Sequence, residues 1–187
     1  MHATKAGGPG RRWTALALVL LGCRPGGTGA DAGIGVAGAR CEVLVPPEVR
    51  EAAALGEASL TQEQPCPHCG PLCALAASGD AGPGTIRASV AYECHAGLEP
   101  GTSIQQRLEA ALEEGGILVP ALGRAAAQRS VAPGMMQLVT WDDDTPCALV
   151  VTWVGPEPER ALELARGALR ACTPEALSGR ATAGPIP

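Results

Sequence analysis

A chain of 187 residues with no phenylalanine and a single tyrosine, Tyr92, has to build its core from leucine, valine, alanine and cysteine. Such side chains bury less apolar area each than aromatic ones do, at about 25 cal/mol per Å², so the core is thin for the length of the chain. Cross-links are the natural supplement. Eight cysteines are available: Cys23, then Cys41, Cys66, Cys69, Cys73, Cys94, Cys147 and Cys172. The three tryptophans and one tyrosine are too few for a sugar-stacking surface or an aromatic cage.

Lys5, Arg11 and Arg12 precede an apolar run over residues 13–21. The run is too short to cross a bilayer, which takes about 20 apolar residues. A charged start, a brief apolar stretch and a small residue before the cut form a secretory signal, which is removed from the fold. The run closes on Leu20-Leu21-Gly22-Cys23, which resembles the lipobox of bacterial lipoproteins. The resemblance is confined to this N-terminal segment. It implies cleavage before Cys23, lipidation of Cys23 with palmitate among its acyl chains, and a membrane-anchored protein of the cell envelope. In enterobacterial lipoproteins an aspartate after the cysteine retains the protein at the inner membrane, so Arg24 implies the outer membrane. The other reading is plain secretion, with a cut later in the Gly/Ala stretch that ends at Ala39.

The first 22 residues hold three of the 14 basic residues and none of the 19 acidic ones, so their removal takes the net charge from −5 to −8. Such a surface repels the phosphates of nucleic acids and anionic head groups alike, which excludes DNA and RNA as partners. An envelope protein remains as a possible partner. No cofactor is implied.

Residues 24–39 are Gly- and Ala-rich without periodicity, and with Cys23 they form a tether. The expected organisation is a signal peptide over 1–22, lipidated cysteine and tether over 23–40, one domain over 41–175 and a flexible tail over 176–187. Within the domain, residues 42–45 predict a short strand, closed by Pro46-Pro47, and residues 49–60 a helix. Residues 85–94 alternate as a half-buried strand. Thr102 with Gln105 and Ser103 with Gln106 fit a helix-opening box, and that helix runs to about Glu114 before Gly115-Gly116. Residues 117–130 have room for another short helix. Residues 136–141 and 147–154 are rich in β-formers and are joined by Asp142-Asp143-Asp144-Thr145-Pro146 as a turn. A helix follows over 158–172, with Leu162, Ala165, Leu169 and Cys172 on one stripe. The expected class is therefore α+β, a mostly antiparallel sheet with helices on one face, stapled by disulfides.

Cys66-Pro67-His68-Cys69 is the sharpest chemical candidate. It resembles the active-site CxxC of thioredoxin-fold oxidoreductases, and its Pro-His pair that of the DsbA-type periplasmic oxidases. The resemblance implies Cys66 as nucleophile, Cys69 as resolving thiol and His68 as the group that lowers the Cys66 pKa. Thr145-Pro146 before a strand resembles the family's cis-proline segment. The chain departs from the family where polar residues 61–65 replace a buried strand before the motif, and Gly70-Pro71 replaces the start of a helix after it. Structural cysteines are therefore the primary reading, and thioredoxin-like thiol–disulfide exchange the alternative.

Cys66, His68, Cys69 and Cys73 have spacings that suit zinc or part of an iron–sulfur cluster, but the second pair, Cys94-His95, is adjacent and points to opposite faces of a strand. No metal site is assigned. The Asp142-Asp143-Asp144 run lacks the spaced ligands of a calcium loop and reads as a solvated turn.

Seven cysteines remain after Cys23, an odd number. Cys147 shares a strand face with Leu149, Val151 and Trp153, and Cys172 lies on the apolar stripe of the last helix. A bridge between Cys147 and Cys172 is the pairing expected from this alternation. The function expected is that of a non-catalytic binding or structural module of the envelope.

Overall fold

The computed structural model describes residues 36–65, 70–77, 85–94, 102–143, 145 and 147–180. All belong to one unit of the chain, Asp31–Pro187. A 3₁₀ turn at Val36–Gly38 leads into two short helices, α1 (Cys41–Leu44) and α2 (Pro47–Ala52). Three strands follow: β1 (Ser59–Glu63), β2 (Leu72–Ala76) and β3 (Arg87–Glu93). Then come α3 (Thr102–Glu113), β4 (Ile117–Leu118), β5 (Ala125–Ala132), β6 (Met135–Trp141) and β7 (Ala148–Val154). The chain closes with α4 (Arg160–Ala171) and α5 (Pro174–Leu177).

The strands form one seven-stranded sheet in the order β1-β2-β3-β7-β6-β5-β4, every neighbouring pair antiparallel. Two meanders, β1 to β3 and β4 to β7, meet where β3 pairs with β7 from Arg87–Val154 to Glu93–Ala148. The α+β class with a disulfide-stapled antiparallel sheet is thus what the chain forms.

Alternation decides which residues enter the core. Val90, Tyr92, Leu138, Leu149, Val151 and Trp153 face one side of the sheet and are buried there under α4. Helix α4 contributes Ala161, Leu164, Ala165, Ala168 and Leu169, a stripe with helical spacing. Fully burying a Leu or Val of this kind contributes about 1.5–3 kcal/mol. The buried Tyr92 is satisfied inside: its hydroxyl donates to the Leu44 carbonyl at 3.0 Å. Helix α2 packs on α4 so closely that a Cβ at Gly167 would lie 2.6 Å from Val49 Cγ1.

Helix α3 seats on the opposite face, against β5 and β6. Its Ala111 is buried, as are Ala127, Val139 and Ala148, the residues whose register turns them away from the main core. An ion pair from Arg129 to Glu114, just past the helix, and bonds from the same guanidinium to Gln137 Oε1 pin this layer. The helices are therefore split, with α4 on one face and α3 on part of the other.

Four local expectations are corrected. Residues 42–45 form no strand: a helical turn lets Cys41, Leu44 and Val45 all face inward, where a strand would alternate them. The helix expected over 49–60 stops at Ala52, after which Ala54 adopts φ +54° and the chain enters the sheet as β1. Residues 117–130 hold β4 and most of β5 rather than a helix, because pairing with β6 from Ala125 to Ala132 overrides the helix propensity of the alanines. The packed residues also extend beyond 41–175. Val36 and Ala39 are buried at its start, and Ala176 and Leu177 at its end in α5, whose Thr173 side chain caps Ala176 N.

Two disulfides staple the fold. Cys41–Cys73 ties α1 to β2, and Cys94–Cys147 joins β3 to the start of β7. Disulfides persist in oxidising compartments, which marks an exported chain. No helix among the described residues is long and apolar enough to cross a membrane.

Candidate functional site

Cys147 does not pair with Cys172. It stands opposite Cys94, one step past the last strand pair Glu93–Ala148, with Cα atoms 4.3 Å apart. Cys172 is a free, buried thiol at the end of α4. Cys147, Cys172 and Cys94 are all buried on the core side, and a directly opposed cross-strand neighbour is within disulfide reach without any loop having to close. Burial pushes the Cys172 thiol up to about 12. It also pushes the Tyr92 hydroxyl well above its ordinary value, with the nearby Cys172 as the lesser cause. A thiol held protonated in this way is neither a nucleophile nor a metal ligand at neutral pH.

Cys23, Cys66, Pro67, His68 and Cys69 lie outside the described residues, as do His95, Asp144, Pro146 and most of the tether and tail. The flanks of the CxxC segment are described. Glu63 of β1 pairs with Leu72 of β2, so the motif falls in the connection of an antiparallel hairpin. The arrangement implied by the thioredoxin resemblance, a buried strand running into a helix at the motif, is not the one these flanks make. Among the described residues, no group of three or more His, Cys, Asp and Glu side chains is placed to hold a metal ion.

The described residues form a cleft where three connections meet beside the end of α4. The β4–β5 loop supplies Ala121, Leu122 and Gly123, and the β6–β7 turn Asp142 and Thr145. Helix α4 and the residues after it supply Arg166, Leu169, Arg170, Cys172 and Thr173. The cleft encloses about 480 Å³, within the range of small-molecule sites.

Each wall is fixed locally. In the β6–β7 turn, the Thr145 hydroxyl donates to the Asp142 carbonyl at 2.9 Å and accepts from Asp142 N at 3.1 Å. Asp142 Oδ1 accepts from Asp143 N at 2.8 Å, which orients its carboxylate. The β4–β5 loop is pressed on β6: a Cβ at Gly123, φ +59°, would sit 2.4 Å from the Trp141 carbonyl oxygen. Ala121 takes φ +59° in the same loop, a conformation that costs a non-glycine residue about 1 kcal/mol or more. Buried Thr140 bonds the Leu122 and Ala125 carbonyls from below.

The charges in the cleft are not matched to one another. Arg166 is engaged by Glu163 at 2.6 Å on the helix surface. Asp142 forms no ion pair with Arg166 or Arg170, and Arg170 has no carboxylate partner among the described residues. Leu122, Leu169 and Cys172 make an apolar floor between them.

A second, shallower trough of about 320 Å³ lies on the part of the sheet that α3 leaves uncovered. Its walls are small, Ser59, Thr61, Ala74, Ala76, Ser89 and Thr152, and two of its hydroxyls, on Ser59 and Thr61, are spent on β2 carbonyls. Arg87 is its single charge. The cleft, with both signs of charge over an apolar floor, is the better candidate site.

Neither Asp142 nor Arg170 is legible as a site residue in the sequence. One belongs to an acidic turn and the other to the last turn of a helix, where a cation is expected to complement the dipole. The only local hint is the Pro120-to-Gly123 turn between two strands.

Comparison with protein-family models, with curated proteins and with solved structures finds no match.

Proposed function

We propose that this chain is an exported lipoprotein of the bacterial cell envelope, anchored through Cys23, whose domain is a non-catalytic binding or structural module. The observation that carries the reading is the pair of disulfides, Cys41–Cys73 and Cys94–Cys147, behind an N-terminus that ends in Leu20-Leu21-Gly22-Cys23. A binding role draws support from the cleft, where opposite charges flank apolar side chains. Against thiol catalysis stands the hairpin setting of the CxxC flanks.

The test is fractionation of cells expressing the full chain with labelled palmitate. The wild type is expected in the membrane and detergent phase, labelled, with the outer membrane as its site where the host has one. Cys23→Ala is expected unlabelled, and either soluble or unprocessed. A Cys23→Ala protein that is cut normally and still partitions with detergent overturns the anchor.

A further inference from the structure

We propose that the cleft between the β4–β5 loop, the β6–β7 turn and the end of α4 binds a small zwitterion, an amino acid or short peptide with free termini. The inference rests on the reading of the domain as a binding module and names its ligand class. Three features select that chemistry.

The first is a pair of opposite charges that line one cavity without neutralising each other. The Asp142 carboxylate is held in orientation by Asp143 N, and no ion pair joins it to Arg170 or Arg166. A guanidinium takes a carboxylate through paired, charge-assisted hydrogen bonds, and a carboxylate takes an ammonium in the same way. A ligand carrying both groups satisfies both walls at once.

The second is the sign of the surroundings. Free of its first 22 residues the chain carries a net charge of −8, which repels a purely anionic ligand on approach. A zwitterion has no net charge and meets no such barrier.

The third is the floor. Leu122, Leu169 and Cys172 are buried side chains between the charged walls, and the cleft volume of about 480 Å³ admits a dipeptide with an aliphatic side chain.

The experiment is calorimetric titration of the purified full-chain lipoprotein in detergent with the dipeptide L-Ala-L-Leu, its N-acetyl form and its C-terminal amide. The free dipeptide is expected to bind, and each blocked form to bind about tenfold more weakly or worse. Arg170→Gln should weaken the free and acetylated forms by about tenfold and leave the amide unchanged. Asp142→Asn, which keeps the oxygen that accepts from Asp143 N, should weaken the free and amidated forms and leave the acetylated one unchanged. No saturable binding of the free dipeptide up to about 10 mM overturns the proposal. So does tight binding of the acetylated form, which would make this an anion site, or equal losses for all three ligands in either variant. Because the ligand series alone separates the two charges, the test stands even where a variant folds poorly. Export and anchoring are read by fractionation, so a negative titration leaves that reading in place.

Discussion

Cys94 and Cys147 are bonded directly across two central strands, while Cys172, also buried, keeps its thiol at the end of α4. Together with Cys41–Cys73 this fixes the state of every cysteine among the described residues. Peptide mapping of protein trapped with an alkylating agent should recover linked peptides for Cys41 with Cys73 and for Cys94 with Cys147. Label should reach Cys172 only after denaturation. A peptide linking Cys147 to Cys172 would refute the assignment.

Cys172 also sets a pH dependence. Its folded pKa is raised to about 12 by burial, against an ordinary value of 9.0. The protonated thiol is therefore favoured in the fold, and the contribution is complete below pH 9. Between pH 9 and about 12 the unfolded chain gives up this proton and the folded one keeps it, so stability falls by at most about 1.4 kcal/mol per pH unit from this group. Denaturation curves of wild type and Cys172→Ala should converge as pH rises through that window. Parallel curves would mean that the thiol titrates normally.

Each disulfide closes a long loop, with sequence separations of 32 and 53. In the chain-entropy model each contributes about 4 kcal/mol. Replacing both Cys94 and Cys147 by alanine should lower the unfolding free energy by about 3–4 kcal/mol, and slightly less is expected for Cys41 and Cys73. Urea titration of the two double variants without reductant measures it. Loss of less than about 1 kcal/mol would show that the bridges are incidental to stability.

The α2–α4 contact is sterically full. Alanine at Gly167 gains helix propensity worth about 1 kcal/mol, but its Cβ would stand 2.6 Å from Val49 Cγ1. Overpacking wins, and Gly167→Ala should destabilise by a net of about 1–2 kcal/mol. In a Val49→Ala background the clash is gone and the same substitution should become neutral or stabilising. Thermal melts of the four proteins give the cycle, and an unchanged sign would disprove close packing.

Thiol catalysis is tested at Cys66. With the motif in a hairpin connection, the purified protein should reduce or oxidise a model disulfide no faster than a free dithiol, and Cys66→Ser should change nothing. Turnover that disappears in Cys66→Ser would restore the oxidoreductase reading.

What the sequence determined is whatever repeats locally. The alternation over residues 85–94 became β3, and the β-rich runs around the Asp142 turn became β6 and β7. The stop at Gly115-Gly116 ended α3, and the periodic stripe of the last helix became the α4 face on the core. These depend on side-chain period and on glycine and proline, which act within a few residues. Tertiary structure alone decided the rest. Residues 42–45 became a helical turn because Cys41, Leu44 and Val45 meet the core together, and residues 125–132 a strand because β6 pairs with them from Ala125 to Ala132. The choice of Cys94 over Cys172 as partner of Cys147 was set by which strand lay opposite, a contact 53 residues distant in the chain. The cleft belongs to the same class: Asp142 and Arg170 sit in unremarkable local sequence and share a cavity only because a turn, a loop and a helix end converge. Such pairings are fixed by the register of the whole sheet, and no pattern within one segment carries that register.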